Sequence, residues 1–171
     1  EREADIVVVN TCCFINDAKE ESINTILEMA ELRKSGDIEA LIVAGCLAQR
    51  YKEEIQEEIE EVDAIIGTMA IDEVVKTLNE VLHGKHENHY KSLDTRPLTG
   101  VERVVTTGGH YAYLKIAEGC NKRCTYCVIP RVRGDYRSVP MEELLCEAQK
   151  LADEYIKMLE IKTASADTPI K

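Results

Sequence analysis

The sequence predicts an α/β fold in which a small parallel sheet is covered by helices, and three observations carry that expectation. Short aliphatic and β-branched runs recur at residues 6–9, 40–44 and 62–66. Segments with helical periodicity separate them. The runs lead into Asn10-Thr11-Cys12, Gly45-Cys46 and Gly67, the kind of exit that places reactive loops at one edge of an open sheet. A chain of 171 residues suits one compact domain or two small ones.

Taken in order, residues 6–9 form a continuous β-branched run, which predicts a strand buried on both faces. A helix follows over about 17–33, with Ile23, Ile26, Leu27, Ala30 and Leu32 as its apolar stripe and Gly36 as its end. Residues 40–44 read as a second buried strand. Residues 48–60 read as one acidic helix with Ile55 and Ile59 four apart; Glu53, Glu54, Glu57, Glu58, Glu60 and Glu61 supply its solvated face rather than a paired-carboxylate site. A third strand over 62–66 and a third helix over 71–82 complete the pattern. Alternating strands and helices imply parallel pairing, with every C-terminal strand end on one edge. Cys12 and Cys46 fall on that edge, so two thiols distant in sequence become neighbours. By spacing alone they are either ligands or small buried hydrophobes, with the second favoured.

Residues 1–83 therefore form an N-terminal α/β domain. Periodicity is lost over 84–110; His83, His86 and His89 have ligand-like spacing, but the surrounding Lys, Glu, Asn, Asp and Pro read as a solvated linker. A second unit covers 111–171, with a strand over 111–116, a cysteine-rich loop, and a helix that has Pro140 in its first turn and runs to about residue 153. Another strand is expected at 156–161. Cys146 reads as core on that helix, and Cys13 points away from Cys12 and reads as packing.

Composition narrows the function. Lys and Arg number 21 against 32 Asp and Glu, a formal charge of −11, which argues against a broad basic surface for nucleic acid. Trp is absent and Phe occurs once, so stacking platforms for single strands are scarce. No run approaches the ~18–20 apolar residues of a membrane span, and no signal peptide is recognisable, so the expected location is cytoplasmic. The seven cysteines are odd in number, which favours reduced thiols over a disulfide framework and makes metal or cluster binding the leading question.

Cys120-x3-Cys124-x2-Cys127 is short enough for one loop to wrap three thiolates around a single inorganic centre. A closed zinc site needs four ligands, so a trio requires a further donor such as His110. A cubane iron–sulfur cluster held by three cysteines instead leaves one iron open to a substrate or cofactor. Gly119 permits a tight entry to the loop, and Arg123, Arg131 and Arg133 bring positive charge suited to an anionic cluster or a carboxylate. The spacing favours a cluster over zinc.

The same loop, with Tyr126 before its last cysteine, resembles the signature of radical S-adenosylmethionine (radical SAM) enzymes. The flanking residues, Lys115-Ile116-Ala117-Glu118-Gly119-Cys120-Asn121, Cys127-Val128-Ile129-Pro130 and Arg133-Gly134, are similar to those of the methylthiotransferases, as are Val9-Asn10-Thr11-Cys12 and Gly45-Cys46. The resemblance covers most of residues 1–155 in order. Asn10-Thr11-Cys12-Cys13-Phe14-Ile15 and Tyr113-Leu114-Lys115-Ile116 look most like the branch that modifies an aspartate of a small-subunit ribosomal protein.

That resemblance implies two [4Fe–4S] clusters and S-adenosylmethionine (SAM) as cofactors. Cys120, Cys124 and Cys127 would hold the cluster whose open iron binds SAM, and a 5′-deoxyadenosyl radical would then take hydrogen from the aspartate β-carbon. Cys12 and Cys46, with a third cysteine that the family carries on an earlier strand, would hold an auxiliary cluster concerned with the sulfur. Tyr126, Glu118 and Arg133 would line the cofactor site, and no catalytic residue is expected beyond the cluster ligands. A second SAM would give the methyl group, and an electron donor such as flavodoxin or ferredoxin is implied. The second unit would be the start of a radical SAM (β/α) partial barrel, so the chain is expected to be part of something longer. Val139 stands where the family has Arg, and residues 162–171 match no family segment. Two other readings remain at this point: the same chemistry on a tRNA adenosine, and a non-catalytic zinc or iron–sulfur binding module.

Overall fold

The computed structural model describes residues 4–101, 104–105 and 111–166. Two compact units emerge: residues 1–96 together with 119–136, and residues 97–118 together with 137–171. The cysteine-rich loop therefore groups with the N-terminal sheet.

In the first unit three strands, β1 (Ile6–Thr11), β2 (Ala40–Gly45) and β3 (Ala64–Ile66), pair in parallel in the order β1-β2-β3. The register sets Thr11 opposite Gly45 and Ala44 opposite Ile66, so the three C-terminal ends share one edge as expected. β2 is central and wholly buried. Among the described residues β1 lies at one side of the sheet, and Val8 on it is partly exposed, which corrects the expectation of burial on both faces. Its β-branched run reflects strand propensity rather than two-sided burial.

Alternation along β2 divides the core between two faces. Leu41 and Val43 pack with α1 (Asn16–Ser35), α2 (Cys46–Arg50), α3 (Lys52–Glu58) and α5 (Ile129–Arg133). Ala40, Ile42 and Ala44 pack with α4 (Val74–Leu82), which a 3-10 turn at Ile71–Glu73 introduces. α1 ends at Gly36 as predicted, but its buried line is Ser22, Ile26, Met29 and Ala30. Ile23 and Leu27 lie one step around the helix and are partly exposed. The expected acidic helix is two helices that break at Tyr51, and the first begins at Cys46 itself. Residues 86–91 do not float: His89 bridges β3, with Gly67 N–H donating to His89 O and His89 N–H to Ile65 O, both at 2.9 Å. The open hydrogen-bonding edge of β3 accounts for that attachment.

In the second unit residues 111–116 form no strand, and among the described residues only β4 (Ala117–Glu118) pairs, antiparallel, with β5 (Arg137–Ser138). One further bond, Val139 N–H to Ile116 O at 2.9 Å, extends that ladder, and Val139 is buried. The partner strand is too short to carry more. The expected strand at 156–161 is instead the continuation of α6 (Met141–Ala166). Leu144, Ala148, Leu151 and Tyr155 keep a helical repeat into that stretch, and no Gly or Pro interrupts it. No helix among the described residues is long and apolar enough to cross a membrane.

Candidate functional site

The site is built where β1 and β2 end. β1 delivers Cys12 and Cys13 with opposite orientations: Cys12 is exposed, Cys13 buried. Ser22 on α1 clamps the Cys12 backbone from both sides, its Oγ accepting Cys12 N–H at 3.0 Å and lying 3.1 Å from Cys12 O. Thr11 is buried and donates its hydroxyl to Ala44 O at 2.6 Å, tying β1 to β2 directly behind the cysteines. At Gly45 the chain turns with φ 98°, and a Cβ there would stand 2.6 Å from both Asn10 Oδ1 and Thr11 O. Only glycine allows β2 to approach β1 this closely and then start α2 at Cys46.

Cys13 Sγ donates to Cys46 O at 3.3 Å. Burial pushes the Cys13 thiol pKa up, the neighbouring Cys46 and Cys12 push the same way, and Arg50 opposes them. Cys13 is thus a packed, neutral thiol, as the alternation along β1 implies.

The loop with Cys120, Cys124 and Cys127 closes on itself. Cys127 N–H donates to Cys124 O at 3.0 Å, Cys120 N–H to Gly134 O at 3.1 Å, and Tyr136 N–H to Asn121 Oδ1 at 2.7 Å. Arg123 has φ 48° and pairs with Asp135, Nη2 to Oδ1 at 3.0 Å. Gly119 enters the loop with φ 75°, and a Cβ there would meet Gly134 O at 2.5 Å and Asp135 O closer still. All three thiols are free and at least partly exposed. Beside Cys124 and Cys127 opens a cavity of about 490 Å³ walled by Arg50, Arg123, Arg131 and Tyr126. Tyr126 is 90% exposed, so its ring offers an unoccupied face.

This donor set fits an iron–sulfur cluster. Three unpaired thiols on one tight loop, beside guanidinium groups that offset negative charge, suit a polynuclear centre. Among the described residues no three His, Cys, Asp or Glu side chains, the loop's own cysteines included, converge on one point, so the fit is one of donor type and spacing. The three histidines have separate partners: His83 Nδ1 meets Asn79 O at 2.6 Å, His86 Nδ1 Asp63 O at 3.2 Å, and His89 Nε2 Glu80 Oε2 at 2.6 Å. His110, the fourth donor of the zinc reading, lies outside the described residues.

The cysteine loop and the sheet edge are joined. α5 follows the loop, Val132 is buried in the core, and its carbonyl accepts the Thr68 hydroxyl at 2.7 Å. Arg133, expected beside the cofactor, has its Nε 3.3 Å from Cys46 Sγ. Glu118 is buried in the second unit, where it pairs with Lys115. Sequence reasoning missed Ser22, whose partner is the backbone of the preceding strand's end, and Thr11 and Thr68, whose partners are backbone carbonyls of distant elements.

A parallel sheet with cysteines at its carboxyl edge, continued by a three-cysteine loop, marks an iron–sulfur protein of the radical SAM type. Residues 1–67 match a family described as uncharacterized protein family UPF0004. The chain is 60% identical over 159 residues to the ribosomal protein uS12 methylthiotransferase RimO of Lachnoclostridium phytofermentans, an alignment covering 93% of this chain and 36% of that protein. It is 50% identical to the protein of that name from Acetivibrio thermocellus, with 91% of this chain and 36% of the relative aligned, and 48% identical to that of Clostridioides difficile, with 92% and 35% aligned. The chain belongs to the radical SAM methylthiotransferase family that these RimO proteins represent. It spans about 36% of the length of these relatives.

Proposed function

We propose that this chain serves a methylthiotransferase that inserts sulfur and a methyl group at the β-carbon of an aspartate in ribosomal protein uS12. The observation that carries the reading is the union, within one compact unit, of the Cys120–Cys124–Cys127 loop and the Cys12/Cys46 edge. Cys120, Cys124 and Cys127 would hold one [4Fe–4S] cluster and leave an iron open to SAM. Cys12 and Cys46 would contribute to an auxiliary [4Fe–4S] cluster. When bound, these groups supply the one-electron chemistry that opens an unactivated carbon–hydrogen bond.

The chain's own residues orient and shield. Arg50, Arg123 and Arg131 set positive charge around the cavity beside Cys124 and Cys127, suited to the SAM carboxylate. Tyr126 offers its exposed ring to the adenine. Glu118 and Arg133 are assigned to the cofactor's surroundings on the motif alone. A cytoplasmic location and a flavodoxin- or ferredoxin-type electron donor complete the reading.

The test is anaerobic reconstitution with iron and sulfide, followed by EPR with and without SAM, and then incubation with uS12. A brown protein whose reduced signal shifts with SAM, and which adds one methylthio group to a uS12 peptide, is the expected result. Zinc as the sole metal, or mass gained by a tRNA nucleoside instead of the peptide, would overturn the reading.

A further inference from the structure

Resting on the two-cluster reading, we infer that Arg133 is a positioning residue for the auxiliary centre, its guanidinium donating to the sulfur of Cys46. The geometry is specific. Val132, Arg133 and Gly134 each fasten to a different part of the unit: Val132 O to the Thr68 hydroxyl at 2.7 Å, Arg133 Nε to Cys46 Sγ at 3.3 Å, and Gly134 O to Cys120 N–H at 3.1 Å. Three consecutive residues thus strap the three-cysteine loop to the sheet edge, and the middle one ends on a cysteine assigned to the other centre.

Arg133 is half-buried, so its charge acts on the sulfur with less solvent screening than a surface cation's would. Cys46 is only partly exposed, and α2 begins at it, so the thiol is held in place while the guanidinium approaches. A cationic donor on a ligand sulfur withdraws charge from the metal centre and favours its reduced, more negative state. The same contact fixes the direction of the Cys46 side chain. Arg133 therefore sets the reduction potential of the auxiliary centre and ties its placement to that of the SAM-side loop.

The test uses the protein at its full natural length with Cys120, Cys124 and Cys127 changed to Ala, so that the auxiliary centre alone gives a signal. After reconstitution with iron and sulfide, its midpoint potential is read by EPR-monitored titration with dithionite. Arg133→Met keeps the aliphatic bulk and removes charge and donors; the expected result is a shift to more negative potential with iron and sulfide per chain unchanged. Arg133→Lys restores charge without the planar donor and should recover part of the shift, and it carries the comparison alone if the Met variant does not fold. Thr68→Val loosens the strap without touching Arg133 and should leave the potential in place. An unmoved potential in Arg133→Met and Arg133→Lys at full iron content overturns the inference, as does an equal shift in Thr68→Val. A parental protein that binds no iron overturns the two-cluster reading and takes this inference with it.

Discussion

Asp63 collects three donors while nearly buried: Arg33 Nε at 2.8 Å, Arg33 Nη2 at 3.1 Å and the Leu41 N–H at 2.8 Å. It thereby holds α1 against the central strand, and the bond to its carboxylate raises the Arg33 pKa. Replacing Asp63 with Ala strands the Leu41 N–H and unpairs the guanidinium. With Arg33 about a third exposed, the expected loss is roughly 2–3 kcal/mol, read as a lower urea midpoint. Tyr90 presents a second single-residue effect. Its hydroxyl is buried with no hydrogen-bond partner among the described residues, and burial, with Glu53 adding to it, pushes its pKa up to about 12. The folded state therefore holds this proton more tightly than the unfolded chain, whose tyrosines ionise near pH 10. Stability from this group is complete below about pH 10 and declines as pH rises from there toward about 12. Tyr90→Phe should flatten that decline in thermal melts taken across this window.

At the scale of elements, two turns decide where the cysteines stand. Gly45 separates β2 from α2, and Gly119 opens the three-cysteine loop; both have positive φ and backbone oxygens where a side chain would go. Gly119→Ala must push the loop off Gly134 and Asp135. The expected outcome is loss of most loop-bound iron on reconstitution while the sheet persists in far-UV circular dichroism. Gly45→Ala should instead splay β1 from β2 and lower the melting temperature of the whole unit. A buried hydroxyl bond from Thr68 adds to the core packing that holds α5, so Thr68→Val should cost about 1 kcal/mol in denaturant unfolding while α5 stays docked through Val132.

At the scale of the molecule, the division of roles proposed for the two sets of cysteines has a direct test. Cys124→Ala should abolish reductive cleavage of SAM, measured as 5′-deoxyadenosine released. Cys12→Ala should leave that cleavage in place and abolish methylthio transfer to a uS12 peptide. Methylthio transfer surviving in Cys12→Ala would show that the sheet-edge cysteine has no part in sulfur delivery. The arrangement of the first unit supports this division, because the loop packs on the sheet through α5 while Cys12 is held separately by Ser22.

The sequence by itself determined the parallel three-stranded sheet and the shared edge to which β1 and β2 deliver Cys12 and Cys46. These rest on local signals: β-branched runs, helical repeats and glycine at turns. Burial depends on neighbours, and there the sequence was insufficient. The same β-branched composition serves the exposed edge of β1 and the closed interior of β2, and strand order alone separates them. Residues 156–161 look strand-like in isolation and are helical because they continue the repeat of α6. His89 reads as linker until the open edge of β3 pairs with it. Only the tertiary structure brought Ser22 to Cys12, Thr68 to Val132 and Arg133 to Cys46. The last two join elements more than sixty residues apart, the first joins neighbouring elements, and in each the partner is set by how the elements pack.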